Sequence, residues 1–198
     1  LGGGINGADY VVAIGYSALA GAVTQDGTVA IGYAAYNVGT SGIGNIAIGY
    51  QALLVENDGD HNTAIGYEAL KDQTGVTGTV GNTAVGYHSS LGVTSGVRNT
   101  TLGALSGQQI ETGTDNIAIG YASMGSSDGD VGSSYNTFVG TYSGNGSWAG
   151  GNIDKNTGIG YYALGDGAMN GASDNTAVGY ESLLNVTTGQ YNVGMGSQ

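Results

Sequence analysis

A short motif of the form Ala-Ile-Gly-Tyr recurs eleven times, with its glycine at Gly15, Gly32, Gly49, Gly66, Gly86, Gly103, Gly120, Gly140, Gly160, Gly179 and Gly196. Most steps between these glycines are 17 residues; four are stretched to 20 or 19. A short period held along a whole chain means a stacked array, in which each unit buries its apolar residues against its neighbours. The expected shape is a rod, built to hold something at a distance or to present a surface.

Aligning the units on the glycine defines columns. Four residues before it stands asparagine in nine units: Asn45, Asn62, Asn82, Asn99, Asn116, Asn136, Asn156, Asn175 and Asn192. A β-branched residue follows, then a mostly small one, usually alanine, then an aliphatic one, as in Thr63-Ala64-Ile65. Tyrosine follows the glycine in eight units: Tyr16, Tyr33, Tyr50, Tyr67, Tyr87, Tyr121, Tyr161 and Tyr180. The alternation has a period of two and predicts a short strand. One face carries Ile, Val and Thr and the other Ala and Gly, so neither is polar and both are expected to be covered. Alanine and glycine suit close backbone approach and the Ile series suits a core; which face looks inward stays open. The rest of each unit, as in Ala52-Leu53 and Ala163-Leu164, reads as a second short strand and a turn. About eleven two-strand coils at a spacing of about 4.8 Å give a rod roughly 50 Å long.

Composition fits this reading. Glycine is 41 of 198 residues and proline is absent, as a ladder that needs every backbone N–H requires. There is no Gly-x-y period for collagen, and 40% hydrophobic residues argue against disorder. Residues 1–198 read as one repeat domain. Without cysteine there is neither a disulfide nor a thiolate metal site, and no apolar run of about 18 residues offers a membrane-spanning helix. The chain starts at Leu1 and shows no polar capping coil at either end. It therefore reads as an excised piece, or as a subunit whose ends are covered by axial stacking.

Units such as Asn62-Thr-Ala-Ile-Gly-Tyr67, Asn45-Ile-Ala-Ile-Gly-Tyr50 and Asn175-Thr-Ala-Val-Gly-Tyr180 resemble the head repeats of YadA-like trimeric autotransporter adhesins. They are also similar to repeats of bacteriophage tail fibres. The resemblance covers essentially the whole chain and implies an all-β, left-handed parallel β-roll in which three chains lie side by side. It further implies an extracellular position, on a cell surface or virion, and attachment to a host or matrix glycan or protein. It implies no catalytic residues.

The formal charge is −12, so a rod of three copies repels nucleic acid and anionic membrane surfaces. Acidic residues fall mainly in turns and favour solubility. Two Asp-Gly-Asp triplets, with Asp58, Asp60, Asp128 and Asp130, are calcium candidates, because hard cations take several carboxylate oxygens on a tight turn. The asparagine column predicts side-chain amide bonds passed from coil to coil, with asparagine tolerating the left-handed geometry of a turn entering a strand. Asn99, Asn145 and Asn185 fit the glycan-acceptor pattern. The tyrosine column predicts stacking between coils or packing between chains, and its faces could also meet sugars.

Units ending at Gly86, Gly140, Gly160 and Gly179 carry two or three extra residues, which must leave the coil as loops. One such stretch holds the single tryptophan and supplies the ligand-contact candidates Tyr142, Asn145, Trp148 and Asn152. His61 and His88 occupy different offsets, and no nucleophile or carboxylate pair converges with them. The reading is a non-enzymatic attachment fibre; a self-stacking surface filament is the second option. An ice-binding solenoid would need a flat threonine column facing water, and here valine and isoleucine interrupt it.

Overall fold

The computed structural model describes residues 7–21, 24, 26–125, 132–148, 151, 153–165, 167 and 169–198. Among them every motif forms one three-residue strand. In chain order these are β1 (Val12–Ile14), β2 (Val29–Ile31), β3 (Ile46–Ile48), β5 (Thr63–Ile65), β7 (Thr83–Val85), β8 (Thr100–Leu102), β9 (Ile117–Ile119), β10 (Thr137–Val139), β11 (Thr157–Ile159), β12 (Thr176–Val178) and β13 (Val193–Met195). They pair in parallel, each with the strand of the next unit, into one eleven-stranded sheet. A separate pair, β4 (Gly59–Asp60) and β6 (Gly78–Thr79), lies in the first stretched unit and its predecessor. The register always matches motif to motif: Ala47 faces Ala64 across a 17-residue step, and Phe138 faces Gly158 across a 20-residue one. The extra residues thus leave the sheet undisturbed. The result is an all-β parallel solenoid of about ten turns, with no helix among the described residues.

The alanine face is the inner one. Ala30, Ala47, Ala64, Ala84, Ala118 and Ala177 are fully buried, whereas the β-branched and aliphatic residues beside them are half-buried or exposed. The question of which strand face looks inward, open from the sequence, is thereby answered, and the Ile series lies on the outer side. A coil this narrow has room for a methyl group beneath each strand, and the core volume comes from the opposite side.

That opposite side is the Ala-Leu segment, which is not the second strand expected. Its residues alternate in the sign of φ, with +52° at Gln51 and +53° at Leu53, and +54° at Glu68 and +49° at Leu70. It still bonds to both neighbouring coils: Leu53 N–H donates to Ala69 C=O at 2.9 Å, and Gln51 N–H donates to Tyr33 C=O at 2.8 Å. Left-handed geometry costs a non-glycine residue about 1–2 kcal/mol. The alternation turns Ala52 and Leu53 into the interior together, and burying one leucine is worth about 1.5–3 kcal/mol. With the inter-coil bonds added, burial wins. The extended pattern was misleading because two adjacent inward residues require this twist.

The glycine column has a steric cause. Its φ lies between +128° and +140°, outside the range of L side chains, and a Cβ on Gly49 would sit 2.2 Å from the carbonyl oxygen of Gly66. The same collision repeats at every step up to Gly196.

Buried asparagines tie the coils from inside. Each Oδ1 from Asn45 to Asn175 accepts the backbone N–H of the next asparagine, at 2.8 Å for Asn62 and Asn99 and 3.0 Å for Asn82 and Asn192. Most Nδ2 groups donate to the turn carbonyl of the following coil: Asn45 to Gly59, Asn82 to Gly96, Asn99 to Gly113, Asn136 to Ile153, Asn156 to Ala172 and Asn175 to Gly189. Side chain to side chain bonds run from Asn116 to Asn99 and from Asn136 to Asn116. Asn62 Nδ2 lacks a partner, in the coil where three extra residues displace the turn. The left-handed residue at this corner is not the asparagine but the one before it, as at His61, Arg98, Asp115, Tyr135, Lys155 and Asp174.

Core volume is conserved locally. Phe138 stands where other coils have alanine, and its ring is accommodated by Gly144 and Gly158, where a Cβ would lie 2.6 and 2.7 Å from it.

Candidate functional site

Two features of the outer surface are built by the same repeat. The first is the outward side of the eleven-stranded sheet. Because alanine points in, the residues flanking it point out and form two rows along the rod, Val12, Val29, Ile46, Thr63, Thr83, Thr100, Ile117, Thr137, Thr157, Thr176, Val193 and their partners Ile14 to Met195. No charge interrupts either row. Exposure is 48% at Leu102 in the middle of the rod and rises to 60% at Ile14 and 78% at Met195 in the end coils. The row from Ile14 to Met195 is aliphatic on all eleven strands, while its companion mixes valine and isoleucine with six threonines; exposed apolar rows of this kind mark interaction surfaces.

The second feature is the tyrosine edge, set just past the glycine corner. Tyr16, Tyr33, Tyr50, Tyr67 and Tyr87 stack face to face with ring centroids 5.5, 5.1, 4.8 and 5.6 Å apart. These rings are about half exposed, so the ladder is a surface feature. Ala104 then interrupts it. Beyond lies a more irregular group in which Tyr142 sits edge-on to Tyr121 at 5.4 Å and stacks on Tyr162 at 4.8 Å, and Tyr161 stacks on Tyr180 at 5.2 Å.

The tryptophan stretch does not assemble as a contact site. Trp148 is only 2% exposed and belongs to the core with Phe138, Ile153 and Leu164. The stretched unit that holds it was expected to loop outward, yet the indole lies in the core. Asn145 Nδ2 donates to Ala122 C=O at 3.0 Å, Tyr142 lies on the tyrosine edge, and Asn152 falls outside the described residues. Of the three glycan-pattern asparagines, Asn99 is sealed in the inner ladder and unable to carry a glycan, while Asn185 is exposed.

The calcium candidates Asp128 and Asp130 lie outside the described residues. Asp58 and Asp60 serve the neighbouring coil: Asp58 Oδ1 accepts from Ser41 Oγ at 2.5 Å, and Asp60 Oδ1 accepts Ile43 N–H at 2.8 Å. Asp26 and Asp154 do the same for Asp9 N–H and Ser134 N–H, both at 2.8 Å. Among the described residues no group of three or more His, Asp or Glu is placed to hold a metal ion.

His61 is exposed on its turn. His88 stacks on Tyr87 at 3.8 Å, with its Nε2 3.1 Å from Glu68 Oε2 but outside hydrogen-bond geometry. The other oxygen of Glu68 accepts from Lys71 Nζ at 3.1 Å.

One polar site had no sequence signal. Glu56 is fully buried, and its Oε1 accepts the N–H groups of Asn57, Asp58 and Gly59 at 2.8, 3.0 and 2.9 Å. Oε2 accepts from Gln73 Nε2 at 2.7 Å, and Gln73 Oε1 accepts from Asn82 Nδ2 at 3.0 Å. The carboxylate thus caps a turn and joins the asparagine ladder. It occurs once, so no column announced it.

No protein-family model, curated protein or solved structure matches the chain. The functional reading rests on the geometry and on the repeat itself.

Proposed function

We propose that this chain is a non-enzymatic segment of an extracellular attachment fibre, on a cell surface or a virion, in which three copies lie side by side. The observation that carries the reading is the outward apolar face. Two uncharged rows run over all eleven strands, and nothing in the described chain covers them. A second and third copy placed along the same axis would bury them, and the common coil rise keeps the rows in step over the full length. The tyrosine edge beyond the corner would stay in contact with solvent and be available to a host glycan or protein. The net charge of −12 makes nucleic acid and acidic lipid surfaces poor partners.

Light scattering coupled to size exclusion tests this. The expected mass is about three times the 19.6 kDa of one chain. Ile65→Asp, which places a charge on the outward face, should give a folded monomer with an unchanged circular dichroism spectrum. A wild-type monomer would overturn the trimer. It would favour a second reading, ice binding, supported by the outward direction of Thr63, Thr83, Thr100, Thr137, Thr157 and Thr176 on the parallel sheet; thermal hysteresis of the monomer would decide for it.

A further inference from the structure

The tyrosine ladder is broken twice, and the chain treats the two breaks differently. At the second, Thr141 takes the tyrosine position, and the next residue, Tyr142, supplies a ring instead, lying edge-on to Tyr121 at 5.4 Å and to Tyr161 at 6.4 Å. At the first, Ala104 stands between Tyr87 and Tyr121, and the residue after it is Leu105. No described ring enters this break. Tyr87 meets Tyr67 and His88, both on or beside the side away from it, and Tyr121 meets Tyr142. Tyr87 and Tyr121 are two coil steps apart, about 9.6 Å. That is twice the step of the intact ladder, so the space matches the thickness of one ring.

We propose that this break is a subsite for one neutral pyranose ring of a glycan, seated between the faces of Tyr87 and Tyr121 with Ala104 beneath it. The proposal deepens the attachment reading and rests on it. A pyranose presents a C–H face on each side and hydroxyl groups around its rim. The faces suit two aromatic walls, and the rim suits a site whose walls are half exposed and carry phenol hydroxyls. The charge balance selects a neutral sugar. Leu102, Ala104 and Leu105 bring no charge to the site, and the nearest carboxylate on the tyrosine edge, Glu68, is engaged by Lys71 and faced by His88. A chain of net charge −12 disfavours uronic and other acidic sugars. An alanine in this one position omits the ring that a tyrosine would supply.

Fluorine NMR of 3-fluorotyrosine-labelled protein, titrated with maltohexaose and with cellohexaose, tests the site. Saturable shifts are expected at Tyr87 and Tyr121 with at least one of them. Ala104→Tyr, which completes the ladder, should abolish the response while leaving the melting temperature equal or higher. Tyr87→Ala should weaken binding about tenfold, the factor carried by roughly 1.4 kcal/mol of ring contact. Tyr33→Ala, in the unbroken run, should leave it unchanged. Absence of response to both sugars overturns the proposal, as does binding that survives Ala104→Tyr. A response to N-acetyl-tyrosinamide alone overturns it in favour of an aromatic side chain. If Ala104→Tyr does not fold, unweakened binding in Tyr87→Ala is sufficient to overturn it. None of these outcomes alters the mass measured by light scattering, so failure of the subsite and failure of the trimer are separately visible.

Discussion

The molecule carries two parallel ladders, one inside and one outside, and they obey different rules. The inner asparagine ladder runs from Asn45 to Asn192 without a missing member. The outer tyrosine ladder loses its ring at Ala104 and Thr141 and changes from stacked to mixed geometry halfway. From Asn45 onward the inner column is held because each amide satisfies a buried N–H of the next coil, and leaving one unmet costs about 1–3 kcal/mol; the two coils before it carry Val11 and Thr28 at this position. The outer column adds stacking worth about 0.5–1.5 kcal/mol per pair, which the fold can do without. Columns fixed by burial define the scaffold, and columns free to vary are where one coil can be made different from the next.

Breaking the inner side should have the largest effects. Gly66→Ala places a Cβ 2.3 Å from the Gly86 carbonyl oxygen at a φ of +140°, and the array is expected not to form; far-ultraviolet circular dichroism and soluble yield report this. Asn99→Ala removes the acceptor of Asn116 N–H and Nδ2 and the donor to Gly113 C=O. It should cost about 3 kcal/mol or more, read from the urea midpoint. On the outer side the scale falls. Tyr50→Ala deletes the stacks with Tyr33 and Tyr67 and should cost about 1–2 kcal/mol with the fold intact. Equal costs for Asn99→Ala and Tyr50→Ala would erase the distinction between the ladders.

The smallest effect is expected at the surface pair of Arg98 and Asp115, joined by bonds of 2.7 and 2.6 Å between neighbouring coils. The guanidinium holds the Asp115 carboxyl below its ordinary value of 3.8. A depressed folded-state value means the pair stabilises at pH above that ordinary value, and the contribution is lost as pH falls through the folded one. Asp115→Asn should therefore melt slightly lower than wild type at neutral pH. The difference should vanish in strong acid and in high salt.

How much of this was legible in the sequence follows the same division. The glycine, asparagine and alternating strand columns repeat because each coil meets the same buried constraint, so the parallel stacked sheet could be read directly. The direction of the strand faces could not, since Ala and Ile are both apolar and only the narrowness of the coil selects alanine for the interior. The Ala-Leu segment reads as extended from its residues, yet the positive φ at Gln51 and Leu53 depends on turning two neighbours inward at once. Glu56 and Trp148 occupy their buried places in single coils, where no column exists to reveal them. On the tyrosine edge the rings were visible in sequence. The difference between the break at Ala104, which no described ring enters, and the one that Tyr142 enters required coordinates.

The central claim is that the outward face of the sheet is covered by other copies of the chain. The sequence holds no cysteine, so single-cysteine variants give a clean measure of thiol accessibility. Ile65→Cys lies on the outward face, and Thr77→Cys is an exposed control away from it. The thiol at 65 should react with a bulky disulfide reagent far more slowly than that at 77, and the two rates should converge once the assembly is dissociated. Equal rates in the native protein would show the face to be bare and would contradict the fibre account.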